Sequence, residues 1–228
     1  MSIDDAELLD AWRAGDNRAG ERLFERYYES LERSFVGKLP GHELEDLIQE
    51  TFIACVRGCD KLRDKSRFRP YLFGIAYRKF ADYLRRKSRA RGQVVDLDET
   101  SIAECAPGPL SELAGQQELV LLLKALRAIP INFQLILELH YWERMTTADI
   151  ASVLNKPVGT VRRHLGRARE LLKDAMASLA GSPQLLLNTL TRLDDWVELC
   201  RDQVCELTAA QEVSSSSFSE SHSESHAS

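Results

Sequence analysis

Along the first ninety residues, apolar side chains return at three- and four-residue steps. Leu44, Leu47, Ile48, Thr51, Phe52 and Cys55 make one such stripe, the spacing that lines up one face of an α-helix. No stretch up to residue 92 alternates with period two, so the expected class is all-α. Helices are expected within "DDAELLDAWRAG", "NRAGERLFERYYESLERSFVGKL" and "HELEDLIQETFIACVRGC". A fourth, "FRPYLFGIAYRKFADYLRRKSR" at 68–89, breaks the pattern: Phe68, Tyr71, Phe73, Tyr77, Phe80 and Tyr83 spread around most of its circumference. Leu72, Ile75, Ala76, Phe80, Tyr83 and Leu84 are expected in the core, which leaves Phe68, Tyr71, Phe73 and Tyr77 as rings with another use.

The periodicity lapses after residue 92 and resumes near residue 116. The chain is therefore divided into a helical domain over 1–92, a flexible acidic linker over 93–115 and a second small helical domain over 116–180. In the second, "QELVLLLKALRAIP" should end before Pro130 and "INFQLILELHYWER" supplies the next helix. In "TTADIASVLNKPVGTVRRHLGRARELLKDAM", Thr146 or Thr147 can cap a short helix. Asn155 can end it in the left-handed conformation, and Pro157 is pre-set to begin the next. Ile150, Ala151, Leu154, Val158, Val161 and Leu165 have the spacing to lock the two together as a helix-turn-helix. Beyond it, Leu186, Leu190, Leu193, Val197, Cys200, Val204 and Leu207 predict an amphipathic helical extension over 181–210. Residues 211–228 are Ser-rich with almost nothing to bury, and are expected to be disordered.

Charge sharpens this division. The 228-residue chain has net charge −5, but residues 57–91 carry 13 Lys+Arg against 3 Asp+Glu, whereas 93–118 carry none against 6. Such segregation is the form of a nucleic-acid footprint. On the last helix of the second domain, Lys156, Arg162, Arg163, His164, Arg167, Arg169 and Lys173 form a basic face. An arginine there can bond a guanine in the major groove bidentately, worth about 1–3 kcal/mol of discrimination. In the first domain, rings beside arginines suit unpaired DNA, because a base stacks on a ring for about 1–3 kcal/mol while cations follow the backbone.

Other chemistries find little support. No nucleophile–base pair, phosphate-binding glycine loop or metal signature stands out, so neither an enzyme nor a cofactor is expected. Cys55 and Cys59 read as packed thiols, and His222 and His226 as members of a solvated tail. No apolar run approaches a membrane span and the acidic start lacks a secretory pattern, which predicts a cytoplasmic protein without membrane insertion.

Three stretches in order, "DLIQETF" at 46–52, "FRPYLFGIA" with "DYLRR" within 68–86, and "ADIASVLNKPVGTVRRHLGRARE" at 148–170, resemble the signatures of bacterial RNA polymerase sigma factors. The layout is similar to the extracytoplasmic-function (ECF) group of the sigma-70 family. The resemblance implies a protein that binds core RNA polymerase, directs it to promoter DNA and helps melt the duplex, with an anti-sigma factor as a further partner. It places core-polymerase binding at Asp46, Gln49, Glu50 and Phe52. It places minus-10 contacts at Lys61, Arg63, Lys65, Arg67, Phe68, Arg69, Tyr71, Arg78, Arg85 and Arg86, with 61–67 as a loop capturing a flipped base. Lys156, Thr160, Arg162, Arg163, Arg167 and Arg169 fall where the family reads the minus-35 element. Pro70, Gly74, Tyr77 and Asn155 depart from the family's usual residues, and Pro70 requires the helix to begin beside it. Residues 93–118, 26 in all, can extend to about 85–90 Å, enough for elements roughly 70 Å apart. The alternative is a helix-turn-helix regulator that binds duplex DNA as a dimer.

Overall fold

A computed structural model of the chain describes residues 4–36, 38–92, 94, 96–102 and 117–179. The expectations for 181–210 and 211–228, and for the linker from residue 103 to 115, lie outside the described residues. Within them are eight α-helices, and the pairings between helices fall into two bundles.

The first bundle contains α1 (Asp5–Arg13), α2 (Asn17–Phe35), α3 (Gly41–Gly58) and α4 (Phe68–Ala90), with short 3-10 turns at Cys59–Lys61 and Lys65–Arg67 between the last two. Asp16 caps α2 by accepting from the Arg18 amide, and Trp12 lies flat over Gly20, where a Cβ would come within 2.7 Å of the indole nitrogen. Leu9, Leu23, Leu31, Phe35, Ile48, Leu72, Phe80 and Leu84 fill the interior. Helix α4 starts at Phe68, so Pro70 sits in the first turn, where its missing N–H leaves no intrahelical bond unmade.

The second bundle contains α5 (Gln117–Ala128), α6 (Ile131–Tyr141), α7 (Thr147–Leu154) and α8 (Val158–Leu179). Helix α5 ends at Ala128, just short of the Pro130 expected to stop it, and Pro130 is the N-cap residue of α6. Thr146 and Asp149 form a reciprocal capping box on α7, and Asn155 closes that helix at φ 50° and ψ 45°. Ile150, Val161, Leu165, Ala168 and Leu172 lock the helix-turn-helix from inside.

The two bundles are packed on one another, chiefly α4 on α7 and α2 on α6. This packing accounts for the rings spread around α4. Phe68, Leu72, Phe80 and Leu84 face their own bundle, while Phe73 and Tyr77 turn to the other side and meet the second bundle. A helix held on two sides needs apolar residues on two faces.

Part of the linker is also docked. The carbonyls of Thr100 and Leu97 accept from the amides of Ile131 and Asn132, each at 2.9 Å, and Leu97 and Ile102 are buried. Those two amides open α6 and have no carbonyl one turn earlier to bind. The linker supplies their acceptors and two apolar side chains, and residues 97–102 lie on the second bundle rather than stretching away from it.

Candidate polymerase and nucleic-acid interface

Three surfaces carry the residues singled out in the sequence. The first is the outer face of α3, where Asp46, Gln49 and Glu50 are exposed. Glu50 accepts from Lys79 at 2.7 Å, which holds its carboxyl below the usual range. Phe52 is half-buried, its ring 4.4 Å from that of Phe24. The same helix exposes Ile53 (43%) and Val56 (48%). Sequence reading missed both, although Ile53 lies four residues after Gln49 and three after Glu50, on the same face.

The second surface is the cationic turn and α4. Lys61 and Arg63 are exposed; Lys65 pairs with Asp10 at 2.7 Å and Arg67 approaches Asp149 at 3.9 Å. Asp64 caps the turn, accepting from the Ser66 amide and hydroxyl. Phe68 corrects the expectation of a base contact: it is fully buried against Tyr27, 5.7 Å between ring centroids, and cannot stack on DNA. Arg69 is paired with Glu143 of the second bundle, whose side chain is 3% exposed. Tyr71 is half-buried against Gly58, where a Cβ would come within 2.4 Å of the phenol oxygen. Tyr77 donates to Asn132 Oδ1 at 2.8 Å, and burial pushes its pKa up to about 12. Arg78, Arg85 and Arg86 stay exposed, Arg85 beside Asp82 at 3.1 Å.

The third surface is α8. Arg162, Arg163 and Arg167 are exposed, with Arg167 3.1 Å from Glu170; Thr160 is half-buried. Arg169 lies inward, donating to the Tyr141 hydroxyl at 2.8 Å with its guanidinium over that ring. Lys156 is held by Asp98 of the linker at 2.9 Å. Burial disfavours the Asp98 carboxylate, but hydrogen bonds from Lys156 and Asn132 outweigh it and keep the acid below its ordinary range. Burial and the nearby Lys156 push the His164 pKa down, which disfavours a charge there.

Cys55 and Cys59 are buried free thiols, and burial pushes Cys55 up to about 12. Among the described residues no group of three His, Cys, Asp or Glu could hold a metal ion, and no helix is long and apolar enough to cross a membrane.

Each bundle has a counterpart among known proteins. Residues 23–90 match Sigma-70 region 2 and residues 119–172 match Sigma-70, region 4. The chain belongs to the sigma-70 family, the promoter-recognition subunits of bacterial RNA polymerase. The ECF RNA polymerase sigma-E factors of Escherichia coli K12 and Salmonella typhimurium LT2 are each 26% identical over 185 residues, which span 78% of this chain and 96% of the relative. That of Haemophilus influenzae is 24% identical over 189 residues, 78% of this chain and 97% of its own. Within the family, the chain is therefore an ECF sigma factor.

Among solved structures it resembles CnrH in complex with the cytosolic domain of CnrY, at 25% identity and TM-score 0.54, covering 76% of this chain and 97% of that one. It shares its fold with the sigma factor RpoE bound to the anti-sigma factor NepR from Bartonella quintana, at 20% identity and TM-score 0.54, with 69% and 96% covered.

Proposed function

We propose that the two bundles divide promoter recognition between them. The face of α3 bearing Asp46, Gln49, Glu50, Ile53 and Val56 docks on core polymerase, with two exposed aliphatic side chains inside a polar frame. The turn at 61–67, with Arg78, Arg85 and Arg86 of α4, holds melted minus-10 DNA. The exposed arginines of α8 read the minus-35 duplex, with Arg162, Arg163 and Arg167 foremost. The chain works in the cytoplasm and performs no covalent chemistry; bond making belongs to the polymerase. An anti-sigma factor is a further partner, by analogy with the complex of RpoE and NepR.

The observation that carries this reading is the ordered pair of matching regions, 23–90 and 119–172, each with an exposed cationic surface. In the packed arrangement Arg69 and Lys156 are already engaged by carboxylates of the chain itself. We read it as a closed state whose halves must part before both elements are bound. The test is capture of core polymerase by the full chain, followed by transcription from promoters selected out of genomic DNA by that holoenzyme. Specific starts are expected. Duplex binding without polymerase capture, and no transcripts, would refute it.

A further inference from the structure

We propose that Arg13, on α1, is a positioning residue for the minus-10 turn, setting how selectively the loop holds an unpaired base. The inference rests on the role proposed above for residues 61–67. Arg13 Nη2 donates to the carbonyls of Cys59 and Leu62, the latter at 2.8 Å, and so ties the start and the exit of the first 3-10 turn to one nitrogen. Its Nε lies 4.0 Å from the Asp60 carboxylate, and the side chain is 20% exposed. Three residues earlier on α1, Asp10 holds Lys65 in the second turn. One helix face thus grips both halves of the loop, 46 and more residues away in sequence.

From the other side, Tyr71 presses against Gly58, the residue before the first turn. Gripped between α1 and α4, the loop leaves Lys61, Arg63 and Ser66 exposed. Capturing a flipped base carries an unstacking cost, and a loop that had first to be ordered would add its own. The two N–H groups of Nη2, held in fixed directions by the planar guanidinium, remove that second cost; a lysine, a point charge on a flexible stem, does not fix two carbonyls in the same way.

Helix α1 has separate anchors. Leu8 and Leu9 are buried, Trp12 packs edge-on to Phe24 at 5.3 Å, and Asp5 binds Arg26 and Tyr27. Loss of Arg13 should therefore release the loop without releasing the helix.

The experiment uses holoenzyme assembled from core polymerase and the full chain. The probes are single-stranded non-template oligonucleotides carrying the selected minus-10 element, intact or with one base changed. For Arg13→Ala, the preference for the intact strand is expected to fall about tenfold, the order of one lost charged hydrogen bond. Holoenzyme assembly and minus-35 duplex binding are expected to match the unmodified protein. Arg13→Lys should stay within about threefold of Arg13→Ala, because charge alone does not restore the two planar N–H directions. Undiminished preference in Arg13→Ala refutes the inference, as do equal losses at both promoter elements. Misfolding of Arg13→Lys, followed by circular dichroism, would make Arg13 a residue of the bundle and refute it too. If the unmodified holoenzyme shows no preference between the strands, the loop's own role is refuted instead.

Discussion

Helices α4 and α8 are nearly equal in length, 23 and 22 residues, and both are rich in arginine, yet the fold treats them differently. Helix α4 is clasped on two sides, with Phe68 and Phe80 buried in one bundle and Phe73 and Tyr77 set against the other. Its Arg69 is spent on a carboxylate of the partner bundle. Helix α8 buries one stripe, Val161, Leu165, Ala168, Leu172 and Met176, and leaves Arg162, Arg163 and Arg167 in solvent. A cation on a helix is available to DNA only if no carboxylate of the chain reaches it first. By that criterion Arg162 and Arg163 are free for DNA, Arg167 shares Glu170 at the surface, and Arg69 in the first turn of α4 is engaged by Glu143 for as long as the bundles stay packed.

The strongest way to break this contrast is to weaken the seam itself. Lys38 and Glu138 pair across it at 2.8 Å with side chains only 4% and 15% exposed. Lys38→Ala strands the carboxylate, a change that costs about 3–5 kcal/mol in buried pairs. The bundles are expected to part, with a larger radius of gyration in small-angle scattering and an α4 open to DNA. An unchanged radius would locate the hold elsewhere.

A smaller effect is expected on the open side. Arg162→Ala and Arg163→Ala should each lower affinity for the minus-35 duplex by about 1–3 kcal/mol where the arginine reads a base. Both side chains are exposed, so the melting temperature should stay where it was. A fall in melting temperature with unchanged DNA binding would assign them to the fold.

The smallest change falls on the linker. Asp98→Asn keeps the shape and removes the charge that holds Lys156, and because Asp98 is 41% exposed the contact is worth no more than about 1 kcal/mol. Duplex affinity of the free chain should rise a few-fold, read by fluorescence anisotropy. The sign of the pH effect follows from the lowered acid. The contact is fully present above the ordinary value of 3.8 and is lost only as pH falls through the depressed value beneath it. Linker docking, followed by NMR, should therefore be constant through the neutral range; loss between pH 5 and 7 would contradict the assignment.

Much of this was legible because it is local. The Thr146 cap, the left-handed Asn155 and the following Pro157 lie within a dozen residues, and each does what its side chain favours. The core stripe of α3 was equally plain. Phe68 was misread because ring placement around a helix says that more than one face is covered, not what covers it. Arg69 meets Glu143, 74 residues on, and Arg13 meets Leu62, 49 residues on; no local pattern announces such pairs. The docking of Leu97 and Ile102 was hidden for another reason: an acidic, Gly/Pro-bearing stretch reads as linker, although its few apolar residues suffice to seal the start of a helix.

The seam between the bundles is not perfectly filled. Beside Phe35, Phe73, Tyr77, Leu135, Leu139 and Val153 lies a gap of about 10 Å³, at the lower edge of what one water needs, among mainly hydrocarbon surfaces. Opening the seam would eliminate that void, so the separated form occupies less volume at this point. Hydrostatic compression should therefore favour opening at this seam.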